Sequence, residues 1–487
     1  MPKKAKKKSK TPARSSTRRA TKKEKLRLPE HLQQINLNAA GIDLGASEHW
    51  VCVPAGRDER HARSFGVHTA ALQGLGQWLL DCGVDTVAME ATGVYWIPVF
   101  QVLENLGLKV HLVNARQIKN VDGRKTDLLD CQWIQQLHTY GLLRSSFRPE
   151  DQICVLRSYL RHRESLIEER SAQVQHMQKA LQQMNVLVHR AVSDVTGLSG
   201  LAMIRAIVAG ERHPAKLASL AHRRIRKTAA QIEQYLAGDF RAEHLFVLAQ
   251  ALELYDTYNQ KVAACEQRIQ ECVTSFASRA PTNVALPKPT KTRSASRQAE
   301  ERKQKQRAEL YRVIGVDLTA IEGIGVLHAQ TILSEIGWSV ESWRSEKHFT
   351  SWLGACPDNR ISGGRVLSVR TRRVKNRVMR VLRLAASSLE HSQSGLGVQY
   401  RRFKAKLGSA AAIVAMAHKL ARLVYRLLKH GESYVAIGQE EYDAKMRQRQ
   451  LKGLEKHAAN LGYTLVANPA KQNGGNNSER KSYVIVS

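Results

Sequence analysis

The sequence predicts an α/β domain at the N-terminal side, a long coiled-coil-like helical hairpin after it, and a mostly α C-terminal domain. Three observations predict this. Between residues 39 and 145, short apolar runs of strand length alternate with stretches of helical spacing. Between residues 150 and 277, apolar residues recur every seven positions. Residues 309–436 return to short helical periods broken by glycine. The chain of 487 residues is long enough for about three domains at ~150 residues each.

In the α/β part, Ala39–Leu44, Trp50–Pro54 and Ala62–Val67 read as strands. Leu72, Leu75, Leu79 and Leu80 place a helix over 70–82. Asp85–Met89 is a fourth strand, 94–106 a second helix, Lys109–Val113 a fifth strand and 126–140 a third helix. Strands first and alternation afterwards predict a mixed sheet covered by helices.

The heptad reads Ile153, Leu160, Ile167, Val174, Leu181, Val188, with Leu156, Arg163, Arg170, Met177 and Met184 at the partner position. A second series reads Leu248, Tyr255, Val262, Ile269, Phe276. The two arginines weaken a strict two-stranded seam, so an intramolecular antiparallel pair and an inter-subunit contact both remain open. Residues 197–243 interrupt the pair as a small helical insertion. The predicted divisions are a basic disordered tail (1–38), the α/β domain (39–149), the helical region (150–279), a basic linker (280–308), the C-terminal domain (309–436), and a helix with a frayed tail (437–487).

Charge sets the class of partner. The chain has 76 Lys and Arg against 43 Asp and Glu, a net +33, of which residues 1–29 alone carry +12. Such a surplus points to a polyanion, nucleic acid before membrane. The tail is either a solubilising segment or a phosphate-binding arm. No apolar window is long enough to span a bilayer, and no secretory signal stands at the start. Seven scattered cysteines without a C-x-x-C support neither a zinc knuckle nor a disulfide framework, and the chain reads as cytoplasmic and nucleoid-associated.

In so basic a chain, acids at strand ends stand out. Asp43 ends Ala40-Gly-Ile-Asp-Leu-Gly45, and Glu90 ends Thr86-Val-Ala-Met-Glu90. Asp127 and Asp130, three apart, share one face at the start of a helix that Thr126 can cap. Alone, each is an edge residue or a cap. A lone carboxylate, if buried, must neutralise, pair or hold a metal. Four together suit an oxygen-ligand Mg²⁺ (or Mn²⁺) site of the kind that acts on phosphodiesters. Asp81, Asp85 and Asp122 sit in turn contexts and read as solvated.

Two further motifs lie in the C-terminal domain. Gly323-Ile-Gly325 between apolar helical stretches reads as a helix-hairpin-helix, with backbone amides available to a phosphate. Ser362-Gly-Gly-Arg365 opens a stretch, 365–383, with eight basic residues and no acid. Arg365, Arg370, Arg372, Arg373, Lys375, Arg377 and Arg380 alternate there with Val374, Val378, Val381 and Leu382, which reads as an amphipathic helix with a cationic face.

The order Asp43, Glu90, Asp127, Asp130 resembles the DEDD transposases of insertion-sequence family 110. The strings GIDLGASEHW, VAMEATGVYWIPVFQVLE, VNARQIKNVDGRKTDLLDCQWIQQLH and YGLLRSSFRP resemble its 1111 subgroup, and the resemblance continues to about residue 465. It implies an RNase H-like (RuvC-like) fold for the α/β domain. It implies a transposase that cleaves and rejoins donor and target DNA. Ser362 would be the nucleophile of a covalent serine–DNA intermediate, with Ser351, Thr350 and Ser368 as rivals. The resemblance also implies a structured non-coding guide RNA of the bridge type and a homo-oligomer, dimer to tetramer. The alternative is a RuvC-like Mg²⁺-dependent hydrolytic endonuclease of the junction-resolvase type, in which water attacks and Ser362 is a loop residue.

Overall fold

The computed structural model describes residues 33–91, 93–114, 118, 126–281, 297–368, 371–372, 374–431, 448, 451–467 and 483–486. The basic tail, most of the linker, Asp122, Arg370 and Arg373 lie outside the described residues. The chain forms two compact units, Met1–Arg148 and Pro149–Ser487.

The first unit is a five-stranded mixed sheet: β1 (Ala39–Leu44), β2 (Glu48–Cys52), β3 (Ala62–Gly66), β4 (Thr86–Glu90) and β5 (Lys109–Val113). Their order across the sheet is β3-β2-β1-β4-β5. The first three strands form an antiparallel meander, and β4 and β5 run parallel to β1. Two helices cover one face: α1 (Thr69–Asp81) and α2 (Trp96–Asn105). Ile42, Val51, Leu75, Leu79, Met89 and Leu103 are wholly buried in this layer. Each such side chain contributes about 1.5–3 kcal/mol over its exposed state. The other face carries α3 (Asp127–Thr139), which packs Ile134 with Ala88 and Val113. The period-two alternation of β1 thus sends Ile42 to one layer and leaves Gly41 and Asp43 for the other.

The second unit begins with α4 (Asp151–Gln183). After a short turn α5 (Val188–Ala191), three small helices form the insertion: α6 (Leu198–Val208), α7 (Pro214–Ser219) and α8 (Ala229–Leu236). The chain then returns along α9 (Ala242–Ser275). Arg163 lies near Glu266, and Arg170 donates to Asn259 Oδ1 at 2.9 Å, so one helix rises as the other descends. The pair is an intramolecular antiparallel hairpin, and its two seam arginines face polar partners across it. The heptad overran the helices: Val188 falls in α5 and Phe276 caps α9. The insertion and the adjoining hairpin end share one core around Met177, Met184, Met203, Ile204 and Leu248.

The linker expectation needs a correction. Helix α10 (Arg297–Ile314) begins inside it, because the segment from 297 has no proline or glycine and is rich in Glu, Lys, Gln and Arg, all good helix formers. A 3-10 turn (Leu318–Ala320) follows, then α11 (Val326–Ile336) and α12 (Glu346–Trp352). The expected amphipathic helix from 365 also needs correcting. Residues 365–368 form a strand, β7 (Arg365–Ser368), paired with β6 (Arg360–Ser362), and the helix α13 starts only at Arg377 and runs to Ser388. Asn376 Oδ1 accepts the Met379 N–H at 3.0 Å and fixes that start. Helices α14 (Gly395–Leu407) and α15 (Ser409–His430) close the bundle. The expected frayed end differs too: β8 (Thr464–Ala467) and β9 (Tyr483–Val486) pair antiparallel, as the short apolar runs rich in β-branched residues at both places allow.

Candidate active site

The first cluster sits on the α3 face of the sheet in the first unit. β1 and β4 run parallel with Ile42 opposite Met89, so the next residue on each, Asp43 and Glu90, end adjacent strands side by side. Asp127 and Asp130 lie in the first turn of α3, where Thr126 Oγ1 accepts the Leu129 N–H at 3.3 Å. That turn is also where the helix dipole favours carboxylates. The helix reaches the sheet over Gly41. A Cβ atom there would stand 2.5 Å from the Cys131 carbonyl oxygen and 2.3 Å from the Gln135 nitrogen. Glycine two residues before Asp43 therefore sets how close the two aspartates come to it. Sequence reading passed over Gly41; the signal was a side-chain-free position on the same strand face as the carboxylate.

The electrostatics tie the four acids together. Burial, then the charges of Asp130, Asp127 and Glu90, push Asp43 from 3.8 up to about 6. The Leu44 backbone N–H opposes this only in part. Among the described residues, however, no three His, Cys, Asp or Glu side chains converge tightly enough to form a ready-made metal group. The structure thus places Glu90, Asp127 and Asp130 within electrostatic reach of Asp43 without drawing the four into one shell. All the donors are carboxylate oxygens, the ligand type hard divalent cations take, so the residues fit such an ion. Cys131 lies on the same helix. Its thiol donates to the Leu128 carbonyl at 3.1 Å and is pushed up by the neighbouring free Cys52 thiol and by burial, so it is an inert packing group beside the acids.

Behind the acids is a feature the sequence did not announce. His138, on α3, is buried and pairs through Nε2 with Thr86 Oγ1 at 2.9 Å, its ring 4.8 Å from that of His111. Burial, and then His111, lower it from 6.5 to about 4. A neutral histidine here locks the far end of α3 to β4 and β5.

The second cluster belongs to the second unit. β6 and β7 form a hairpin with Ser362 opposite Arg365 and Gly363-Gly364 as the two-residue turn, at φ +54° and +75°. Both turn positions need positive φ, which glycine adopts at no steric cost. Ser362 and Arg365 are exposed. The hairpin is rooted by the bridge between Pro357 and Thr371 and by Arg372, which donates to the Ser351 carbonyl at 2.5 Å and to its hydroxyl at 3.2 Å. Beneath it, Trp343, Phe349, Trp352 and Tyr425 form an aromatic knot that fixes α12 to α15. Of the rival hydroxyls, Thr350 is buried with its hydroxyl donating to the Lys347 carbonyl, and Ser351 is half-buried under Arg372.

The remaining basic positions divide by their partners. Lys375 is exposed. Arg377 and Arg380 both pair with Glu164 of α4, and Arg377 also approaches Glu335 of α11 at 4.0 Å. Those two arginines tie α13 to the helical hairpin. Gly323, at φ +87°, packs against the Ala385 carbonyl of α13, whereas Gly325 caps α11 with open space around it. A 3-10 turn lies between α10 and α11, and the Gly325 N–H donates to His328 Nδ1 at 3.4 Å.

Two family models match the chain: a transposase model of the DEDD type over residues 40–186, and the transposase IS116/IS110/IS902 family over residues 317–400. Over these two segments the chain is similar to transposases of the IS110 type. It is also similar to "Putative transposase y4pF/y4sB" of Sinorhizobium fredii (strain NBRC 101917 / NGR234), 30% identical over 127 residues. The match covers 24% of this chain and 32% of that relative.

Proposed function

We propose that this protein is a DNA recombinase that cuts and rejoins donor and target DNA through a serine–DNA intermediate. The observation that carries this reading is Asp43, held near 6 by burial and by the very carboxylates named with it. A half-buried acid with three like charges in electrostatic reach, in a chain of net +33, calls for a cation and a polyanion in one place. We read the first unit as RNase H-like, an assignment its strand order supports. Mg²⁺ bound by Asp43, Glu90, Asp127 and Asp130 would lower the pKa of an attacking hydroxyl and offset charge on the phosphoryl oxygens.

The chain's own groups do the rest. Ser362 Oγ attacks phosphorus; the new O–P bond forms as one P–O bond to deoxyribose breaks, and the serine proton ends on the leaving oxygen. Attack by the hydroxyl of the incoming strand reverses this and restores the serine. Arg365, directly across the hairpin, positions the phosphate by charge-assisted hydrogen bonds. Recognition of sequence is assigned to a structured non-coding guide RNA of the bridge type, bound by charge and shape. A homo-oligomer, dimer to tetramer, supplies the synapse; Val155, Phe246 and Leu254, exposed on the long hairpin, support that assignment.

The test is a trapping assay. Protein, Mg²⁺, DNA carrying the element junction and target, and RNA transcribed from the element's flank are mixed and run on a denaturing gel. The expected result is an RNA-dependent protein–DNA adduct that Ser362→Ala and Asp127→Asn both abolish. Strand cuts without an adduct, retained in Ser362→Ala, would replace this reading by the hydrolytic endonuclease.

A further inference from the structure

The hairpin that carries Ser362 is two-faced. Its stem holds three large aliphatic side chains in water: Ile361 is 61% exposed, Val366 59% and Leu367 67%. Ile361 and Val366 are direct cross-strand partners and share one face, while Ser362 and Arg365 share the other. Leu367 is the extra residue where the register shifts between Arg360 and Ile361. A two-stranded ribbon alone is marginal in water, and apolar side chains so exposed normally serve contact. The surrounding charge selects the occupant: Arg365 and Lys375 are exposed, and Arg372 holds the root. A cationic hairpin with an aliphatic face fits nucleic acid, with phosphate on one side and base surface on the other.

We propose that this hairpin is a wedge that seats on DNA opened at the cleavage step. Ile361, Val366 and Leu367 pack against the base surface exposed when one base step unstacks. Ser362 and Arg365 face the phosphate of that same step. Aliphatic wedges placed between base steps are an established way to offset unstacking, and a backbone turn made of two glycines lets the tip approach a strand closely. The wedge sets the substrate class as locally unstacked DNA, and it couples opening of the duplex to delivery of the phosphate. This inference rests on Ser362 facing DNA, as proposed above.

The experiment compares binding of the full-length protein, with RNA transcribed from the element's flank, to two 30-base-pair DNAs, a perfect duplex and one with a two-nucleotide mismatch at the cut position. Each carries 2-aminopurine beside the cut. Wild type is expected to prefer the mismatched DNA by about tenfold, since the mismatch removes the unstacking cost, and to raise 2-aminopurine fluorescence in the perfect duplex. Ile361→Ser combined with Val366→Ser should bring the preference below about twofold and abolish the fluorescence rise, with the thermal midpoint unchanged. Equal binding to both DNAs by wild type, or a preference that survives the double substitution, overturns the wedge. A double variant that changes oligomer size while keeping the preference overturns it in favour of a subunit contact. The adduct assay separates the two ideas: a normal adduct without unstacking sinks the wedge alone, and unstacking without any adduct sinks the nucleophile alone.

Discussion

Gly41 on β1 lies against Gln135 on α3 so closely that a Cβ atom would sit 2.3 Å from the Gln135 backbone nitrogen. The clash is with backbone, which has no rotamer to escape by. Gly41→Ala is therefore expected to push α3 outward, destabilising the first unit by about 1–3 kcal/mol as overpacking does. It should also cost more activity than stability, because Asp127 and Asp130 move with the helix. Adduct yield and thermal midpoint, measured on the same preparation, check this. An unchanged yield at a lowered midpoint would show that α3 is not what places the aspartates.

Asp43 is opposed by three like charges and by burial. Asp43→Asn removes the opposed charge and keeps the shape. At pH 7, without divalent metal, the variant is expected to be more stable than wild type by roughly 1–2 kcal/mol, after allowance for solvent screening of a part-exposed group. It should lose strand cleavage. Added Mg²⁺ should stabilise wild type and leave the variant's midpoint nearly unmoved. Denaturation with and without Mg²⁺ decides; equal responses would remove Asp43 from the metal-holding set.

His138 titrates low because burial and His111 disfavour its charged form. The unfolded chain takes up the proton at the ordinary 6.5, the folded one only near 4. Stability of the first unit is thus fully present above pH 6.5 and is lost as pH falls towards 4, by up to roughly 3 kcal/mol. Hydrogen exchange of the β4 and β5 amides across this window should show one extra proton taken up on opening. His138→Gln should flatten that slope. A slope unchanged in the variant would place the acid sensitivity elsewhere.

Glu164 holds both Arg377 and Arg380. Glu164→Gln is expected to release them to solvent phosphates. Affinity for non-specific duplex should rise, and the slope of log affinity against log salt should steepen by up to about 1.8, at ~0.9 per phosphate neutralised. Fluorescence anisotropy over a salt series reads this out. An unaltered slope would mean the two arginines serve only to dock α13.

The strands and helices of the first unit were legible because their signals are local. An apolar run ending in a carboxylate and a capped helix with two aspartates three apart can be seen within ten residues. Their convergence had to be inferred from a family likeness, since nothing within a ten-residue window says that β4 lies beside β1. In the second unit, the basic run at 365–383 read as one helix because its apolar positions fit the period. The turn at Gly363-Gly364 and the cap at Asn376 split it. Arg377 and Arg380 looked like free cations for the same reason: Glu164, their partner, is over two hundred residues away in sequence.

What the sequence determined by itself was the class of most elements, the acids and the serine that the proposed chemistry would use, and the polyanion implied by its charge. Those follow from side-chain chemistry and from periods of two, 3.6 and seven residues, which are properties of the chain alone. What only the tertiary structure decided was which charges are engaged, which glycine admits a helix, and which aliphatic side chains stay in water. Each of these depends on distances between residues far apart in sequence, and burial and Coulomb interaction are functions of those distances.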